Sequence, residues 1–77
     1  MDKKEFINVM FSEKEIEFEY KGINYIISKA KHKFTFYSTN SYDIKVYDTP
    51  KELLESINID GKYLLDIIED ITNIKVI

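Results

Sequence analysis

Apolar and polar residues alternate along Ile16-Glu17-Phe18-Glu19-Tyr20, and again along Ile23-Asn24-Tyr25-Ile26-Ile27 except at Ile26, with Lys21-Gly22 between the two runs. That period of two predicts a β-hairpin. A two-residue turn at Lys21-Gly22 sets Tyr20 opposite Ile23, Phe18 opposite Tyr25 and Ile16 opposite Ile27, so one face is wholly apolar. The other face sets Glu15, Glu17 and Glu19 against Ser28, Ile26 and Asn24. A slip of one residue would bury the acids and expose the aromatic rings, so the pattern specifies register as well as strand.

The same reading extends along the chain. Phe6, Ile7, Val9 and Met10 are spaced for a short amphipathic helix over residues 2–11, with acids near its start. Lys29 to Lys33 form a polar tip, and Phe34-Thr35-Phe36-Tyr37 continues the sheet with Phe34 and Phe36 on the apolar face. Residues 38–42 read as a loop, and Ile44 and Val46 as a short fourth strand. Thr49-Pro50-Lys51-Glu52 supplies an N-cap threonine, a proline at the first helical position and a glutamate three residues after the cap, which starts a helix burying Leu53, Leu54 and Ile57. Asp60 reads as a second N-cap, stapled by Ile59 and Leu64. Leu64, Ile67, Ile68 and Ile71 then follow helical spacing. The tail from Asn73 to Ile77 alternates weakly and is expected to add an edge strand. The expected fold is α+β: an N-terminal helix, a three- to four-stranded antiparallel meander, and two C-terminal helices packed on one sheet face.

These residues also resemble a group of short uncharacterised proteins of Gram-positive bacteria and their prophages. Glu15, Glu17, Phe18, Tyr20, Gly22, Tyr25 and Ile27 match that group's E-x-E-F-x-Y-x-G-x-x-Y-x-I hairpin. Ile59-Asp60-Gly61-Lys62 with Leu64 matches its I-D-G-K-x-L step into the last helix. The resemblance spans most of the chain and implies the same topology, but its motifs are structural and bring no activity and no catalytic residue. The sequence departs from the group at Ile23 and Ile26, where more polar residues are usual, and has no tryptophan in the last helix.

Composition narrows the function classes. Seventy-seven residues make one domain, 1–77, with little room for a deep pocket, so no small-molecule substrate is expected. With no cysteine, disulfides and thiolate zinc sites are excluded, and a reducing cytoplasm is the expected compartment. No apolar run approaches a membrane span and the start carries no signal-peptide pattern, so a soluble chain with no membrane role is expected. Every strongly basic residue is lysine, a bias that suggests an AT-rich genome and disfavours the forked contacts of sequence-specific DNA reading. The net charge of −3 is uneven: residues 1–20 carry −3, residues 21–47 carry +4 and residues 48–77 carry −4.

Candidate chemistry is thin. His32 is the only histidine and sits at a lysine-rich tip with no thiol to activate, so it reads as a solvated turn residue. One histidine and scattered carboxylates make no metal site, and no cofactor is expected. Asp66, Glu69 and Asp70 share one helical face and read first as a solvated surface, with Lys62 balancing Asp66 at i+4. The ladder of Glu15, Glu17 and Glu19, with rungs about 6 to 7 Å apart, either guards a strand against aggregation or imitates a phosphate backbone. Lys29, Lys31 and Lys33 beside Tyr37 combine charge and a ring, as single-strand nucleic-acid binders do. Asp60-Gly61-Lys62 lacks the remaining glycines of a phosphate loop.

The leading expectation is therefore a non-enzymatic protein-interaction module. Its surface would comprise Ile26 and Tyr37 with the Glu15, Glu17 and Glu19 ladder, and the Asp66, Glu69 and Asp70 face; Ile26 and Tyr37 would also suit a homodimer. The first alternative is an acidic phage or mobile-element inhibitor of a host nucleic-acid-binding or defence protein. Small acidic anti-CRISPR proteins share this element order, an analogy of fold alone. The second is weak single-stranded nucleic-acid binding through Lys29, Lys31, Lys33 and Tyr37.

Overall fold

In the computed structural model, which describes residues 2–12, 15–41 and 43–77, the chain reverses at Lys21-Gly22 with both residues at positive φ, 50° and 79°. Those angles belong to the turn whose twist matches that of paired strands, and glycine meets its second position without strain. The pairing it sets is Ile16 with Ile27, Phe18 with Tyr25 and Tyr20 with Ile23. This is the register expected from the alternation.

Helix α1 spans Lys3–Phe11, and the Asp2 carboxylate caps it by accepting from the Glu5 N–H at 2.8 Å. Strands β1 (Ile16–Tyr20), β2 (Ile23–Ala30), β3 (Lys33–Ser38) and β4 (Lys45–Tyr47) follow as an antiparallel meander. Helix α2 (Pro50–Ser56) begins as expected, the Thr49 hydroxyl accepting from the Glu52 N–H at 3.1 Å. Of the expected 38–42 loop, Tyr42 lies outside the described residues.

Beyond α2 the structure corrects the sequence reading twice. Asp60 is not an N-cap: Asp60 and Gly61, at φ 55° and 78°, turn a miniature hairpin of β5 (Asn58–Ile59) and β6 (Lys62–Tyr63). The Asp-Gly pair is used for its turn geometry, as Lys21-Gly22 is. The last helix is also shorter than its periodicity implied. Helix α3 covers only Leu64–Ile67, passes into a 3₁₀ turn at Ile68–Asp70, and has Tyr63 at its N-cap. Lys62 therefore lies in a strand, and the helical i, i+4 relation with Asp66 does not exist.

The tail forms the expected edge strand, β7 (Thr72–Val76), antiparallel to β1, so the four-stranded meander becomes a five-stranded sheet in the order β4-β3-β2-β1-β7. The β1–β7 register shifts between Glu17 and Glu19. Asn73 takes φ 52° within that irregularity. The bulge brings Ile74 against the core while leaving Lys75 opposite Glu17.

The core sits on one side of this sheet. Ile16, Phe18, Tyr20, Ile27, Phe34 and Phe36 form a single cluster with Phe6 and Met10 of α1, Leu53 and Leu54 of α2, Ile57 and Ile59, and Leu64, Ile67, Ile68 and Ile71. Tyr25 is stacked between Phe18, at 5.4 Å and 23°, and Phe36, at 5.6 Å and 4°. Phe6 meets the edge of Phe18 at 6.2 Å. The alternate strand residues are turned away from this cluster.

Candidate functional site

Three of the rows these outward residues form across the strands bear on the site. One row runs Lys75, Glu17, Ile26, Tyr37 over β7, β1, β2 and β3. A second sets Glu19 opposite Asn24 on one side and Thr72 on the other. The third runs Ser28, Thr35, Val46 over β2, β3 and β4. Glu15, just before β1, extends the acid ladder, and its carbonyl accepts from the Ile77 N–H at 2.9 Å.

Chemistry differs across the face. Towards β4 the charges are paired: Lys33, two residues before Thr35 on the same side of β3, is bonded to Asp48, and the Ser28 and Thr35 hydroxyls bond to each other at 2.8 Å, which satisfies both groups locally. Val46, 56% exposed, stands beside them, and Ile44, 59% exposed, precedes it by two residues. Ile26 and Tyr37 are half-buried in the middle. Towards β1 the face turns acidic, and Glu19 is held there by the Asn73 side-chain amide, which donates to its Oε1 at 3.1 Å. The Thr72 hydroxyl reaches the Glu19 carbonyl at 3.5 Å. Glu17, Glu19, Asn24, Thr39, Asn73 and Lys75 line an open trough of about 560 Å³ over β1.

The remaining candidate residues lie elsewhere. Asp66 is on α3 and Glu69 and Asp70 are in the 3₁₀ turn, on the helical side of the sheet, where they share a shallow hollow with Lys3 of α1. This acidic face is thus separated from the Glu17 and Glu19 face by the thickness of the molecule. The lysines of the nucleic-acid reading are dispersed. Lys29 pairs with Phe34 in an inward row and holds its ammonium 5.9 Å from that ring, whereas Tyr37 points outward. Lys33 bonds the Asp48 carboxylate, which raises the lysine pKa, first through the hydrogen bond and then through the charge. Lys31 occupies the β2–β3 turn at φ 59°, next to exposed His32.

A second hollow, of about 200 Å³, opens at the end of the core between Tyr25, Phe36, Ser38, Asp43, Lys45 and Asp60. Lys21 donates to the Asp60 carboxylate at 2.6 Å and ties the two glycine turns together. That hydrogen bond raises the Lys21 pKa and lowers that of Asp60. Burial raises the Tyr25 phenol, and the Asp60 charge adds to the rise.

Asn73, Lys75, Asn24 and Val46 were not singled out as candidates in the sequence. The available signal was the tail itself: asparagine tolerates positive φ, and the alternation resumes after it. Among the described residues, no group of three or more histidine, aspartate or glutamate side chains could hold a metal ion, and no helix is long and apolar enough to cross a membrane. The sequence matches no family model, and comparison with curated proteins and with solved structures finds no similar chain.

Proposed function

We infer that the protein is a non-enzymatic binding module that docks a protein partner on the outward face of its sheet. One observation carries this reading: a five-stranded sheet whose inward side is covered by helical segments presents Ile26, Tyr37 and the exposed Val46 in adjacent outward rows, bordered by Glu17 and Glu19. Contiguous apolar side chains rimmed by polar ones mark interaction sites. The reading takes α2 and α3 as one layer on the inner side, since Leu53, Leu54, Leu64 and Ile67 join the cluster of Phe18 and Phe36. A cysteine-free chain suits a reducing cytoplasm.

The test compares photo-crosslinking from position 46 and from position 66 in the source cells, with and without Ile26→Asp. The reading expects one protein captured from position 46, lost with Ile26→Asp, and not captured from position 66. Capture from position 66 alone would move the site to the acidic helical side and defeat it.

Inhibition of a nucleic-acid-binding protein is a second reading, favoured by the Asn73-anchored Glu19 at the end of the acid ladder. Competition with duplex or single-stranded DNA for the captured partner separates the two. Single-strand binding by the chain itself finds less support, because Lys33 is engaged by Asp48 and Lys29 and Tyr37 point to opposite sides. Titration with oligo-dT at two salt concentrations checks it.

A further inference from the structure

The outward face combines a half without net charge, where Lys33 and Asp48 neutralise each other beside apolar and hydroxyl side chains, and an acidic flank, and that division specifies what covers it. We propose that the occupant is an amphipathic helix of a partner protein, lying along β2, with its apolar stripe over Ile26, Tyr37 and Val46 and lysine or arginine residues on the flank above Glu17 and Glu19. The proposal rests on the outward-face reading and adds the partner's chemistry to it.

Backbone bonding gives the first reason. A sheet face offers no free N–H or C=O groups, because these lie in the sheet plane and bond between strands. An extended peptide laid across the face would leave its own backbone groups without partners where water is excluded. A helix satisfies its own.

A second copy of this chain is the other self-satisfied occupant, and charge argues against it. In a face-to-face pair with its two-fold axis along the strands, the β1 side of one copy meets the β4 side of the other, setting Glu17 and Glu19 against Ile44 and Val46. With the axis across the strands, β1 meets β1 and the carboxylates face each other. Both arrangements bring Glu17 and Glu19 of each copy to the interface with only Lys75, opposite Glu17, to offset them, and leave Glu19 facing apolar or acidic side chains.

Spacing supplies the third reason. Glu17 and Glu19 point the same way from one strand, about 6.8 Å apart at two strand rises. Basic residues at i and i+4 on a helix are separated by about 6 Å along its axis, so one helical flank can meet both acids. Asn73 keeps Glu19 in place for this contact. On the opposite flank Ser28 and Thr35 have already satisfied each other, and an apolar stripe can cover them without stranding a polar group.

The experiment titrates isotope-labelled protein with two synthetic 16-residue helices by NMR. They share a leucine stripe and differ only in one flank, lysine at i and i+4 in the first and glutamate in the second. The lysine-flanked helix is expected to shift the amides of Ile26, Tyr37 and Val46, to bind about tenfold more tightly than the glutamate-flanked one, and to weaken as salt rises. Glu17→Lys with Glu19→Lys should reverse the preference. Val46→Asp, at a site already exposed, should abolish binding of both helices while circular dichroism remains unchanged.

Affinities within twofold of each other, or shifts confined to Asp66, Glu69 and Asp70, overturn the proposal. Concentration-dependent dimerisation mapped to Ile26 and Tyr37 by light scattering and NMR also overturns it, but leaves the outward-face reading standing. If the helices fail while Ile26→Asp still removes the crosslinked partner, only the helix assignment falls. If neither has any effect, both fall.

Discussion

Replacing Phe18 by alanine tests the assignment of the two sheet faces on which the function rests. Phe18 is 1% exposed, stacked on Tyr25 at 5.4 Å and met edge-on by Phe6 at 6.2 Å. Truncating a buried phenylalanine costs about 3 to 5 kcal/mol, and the loss of two ring contacts places this site in the upper half of that range. A domain of this length has a total stability of roughly 4 to 12 kcal/mol. Phe18→Ala should therefore remove about 4 to 5 kcal/mol, enough to unfold the chain at the lower end of that stability range and to take away roughly a third or more of the stability at the upper end. Ile26→Ala, on the outward face of the adjacent strand, should cost about 1 kcal/mol, since the side chain is only half covered. Urea titration at 25 °C followed by far-ultraviolet dichroism measures both, and Phe18→Leu, which keeps most of the apolar volume, supplies a value if the alanine variant is already unfolded. An Ile26→Ala loss equal to that of Phe18→Ala would show that the outward face is packed, and the docking argument would collapse.

Three further perturbations follow from named contacts. Asn73→Ala should lower stability by about 1 kcal/mol, because alanine at positive φ is strained and Glu19 loses its anchor, whereas Asn73→Gly should stay within about 0.5 kcal/mol of the parent; thermal melts distinguish them. Thr49→Ala should cost about 1 kcal/mol and Thr49→Ser little, a difference visible in the same melts. Asp60→Asn should lower the Tyr25 pKa towards its ordinary value of 10.0, read as earlier tyrosinate absorbance on alkaline titration, because the Asp60 charge adds to the rise caused by burial. The depressed Asp60 carboxyl contributes stability that is complete above its ordinary value of 3.8 and disappears as pH falls through the lower folded value. The raised Tyr25 contributes stability that is complete below 10.0 and disappears as pH rises through its folded value.

The part of the fold legible in the sequence was the part fixed by local alternation. Ile16 to Ile27 had one register that buried every ring and exposed every acid, and the structure has that register. Thr49, Pro50 and Glu52 likewise announced α2 by themselves. The C-terminal third was harder to read because burial and helicity separate there. Leu64, Ile67, Ile68 and Ile71 are all buried, as their spacing implied, yet the α-helix ends at Ile67 and Ile71 lies beyond the 3₁₀ turn. Periodicity reported which side chains face the core, not which hydrogen bonds continue. Asp60-Gly61 was ambiguous for a related reason: aspartate serves both caps and turns, and the choice depends on whether the flanking residues find partners across a hairpin. Of the candidate surface, Ile26, Tyr37, Glu17 and Glu19 followed from the alternation alone. Lys75 and Asn73 could not be placed beside them without knowing that the tail pairs with β1.

That pairing also governs the order of assembly. Ile16 meets Ile27 across a hairpin but meets Val76 across nearly the whole chain. Closing the longer loop restricts far more of the disordered chain before any contact rewards it, so the β1–β2–β3 meander is expected in the folding nucleus, with β7 joining after the rate-limiting barrier. Variants at Ile74 are accordingly expected to accelerate unfolding while leaving refolding rates almost untouched.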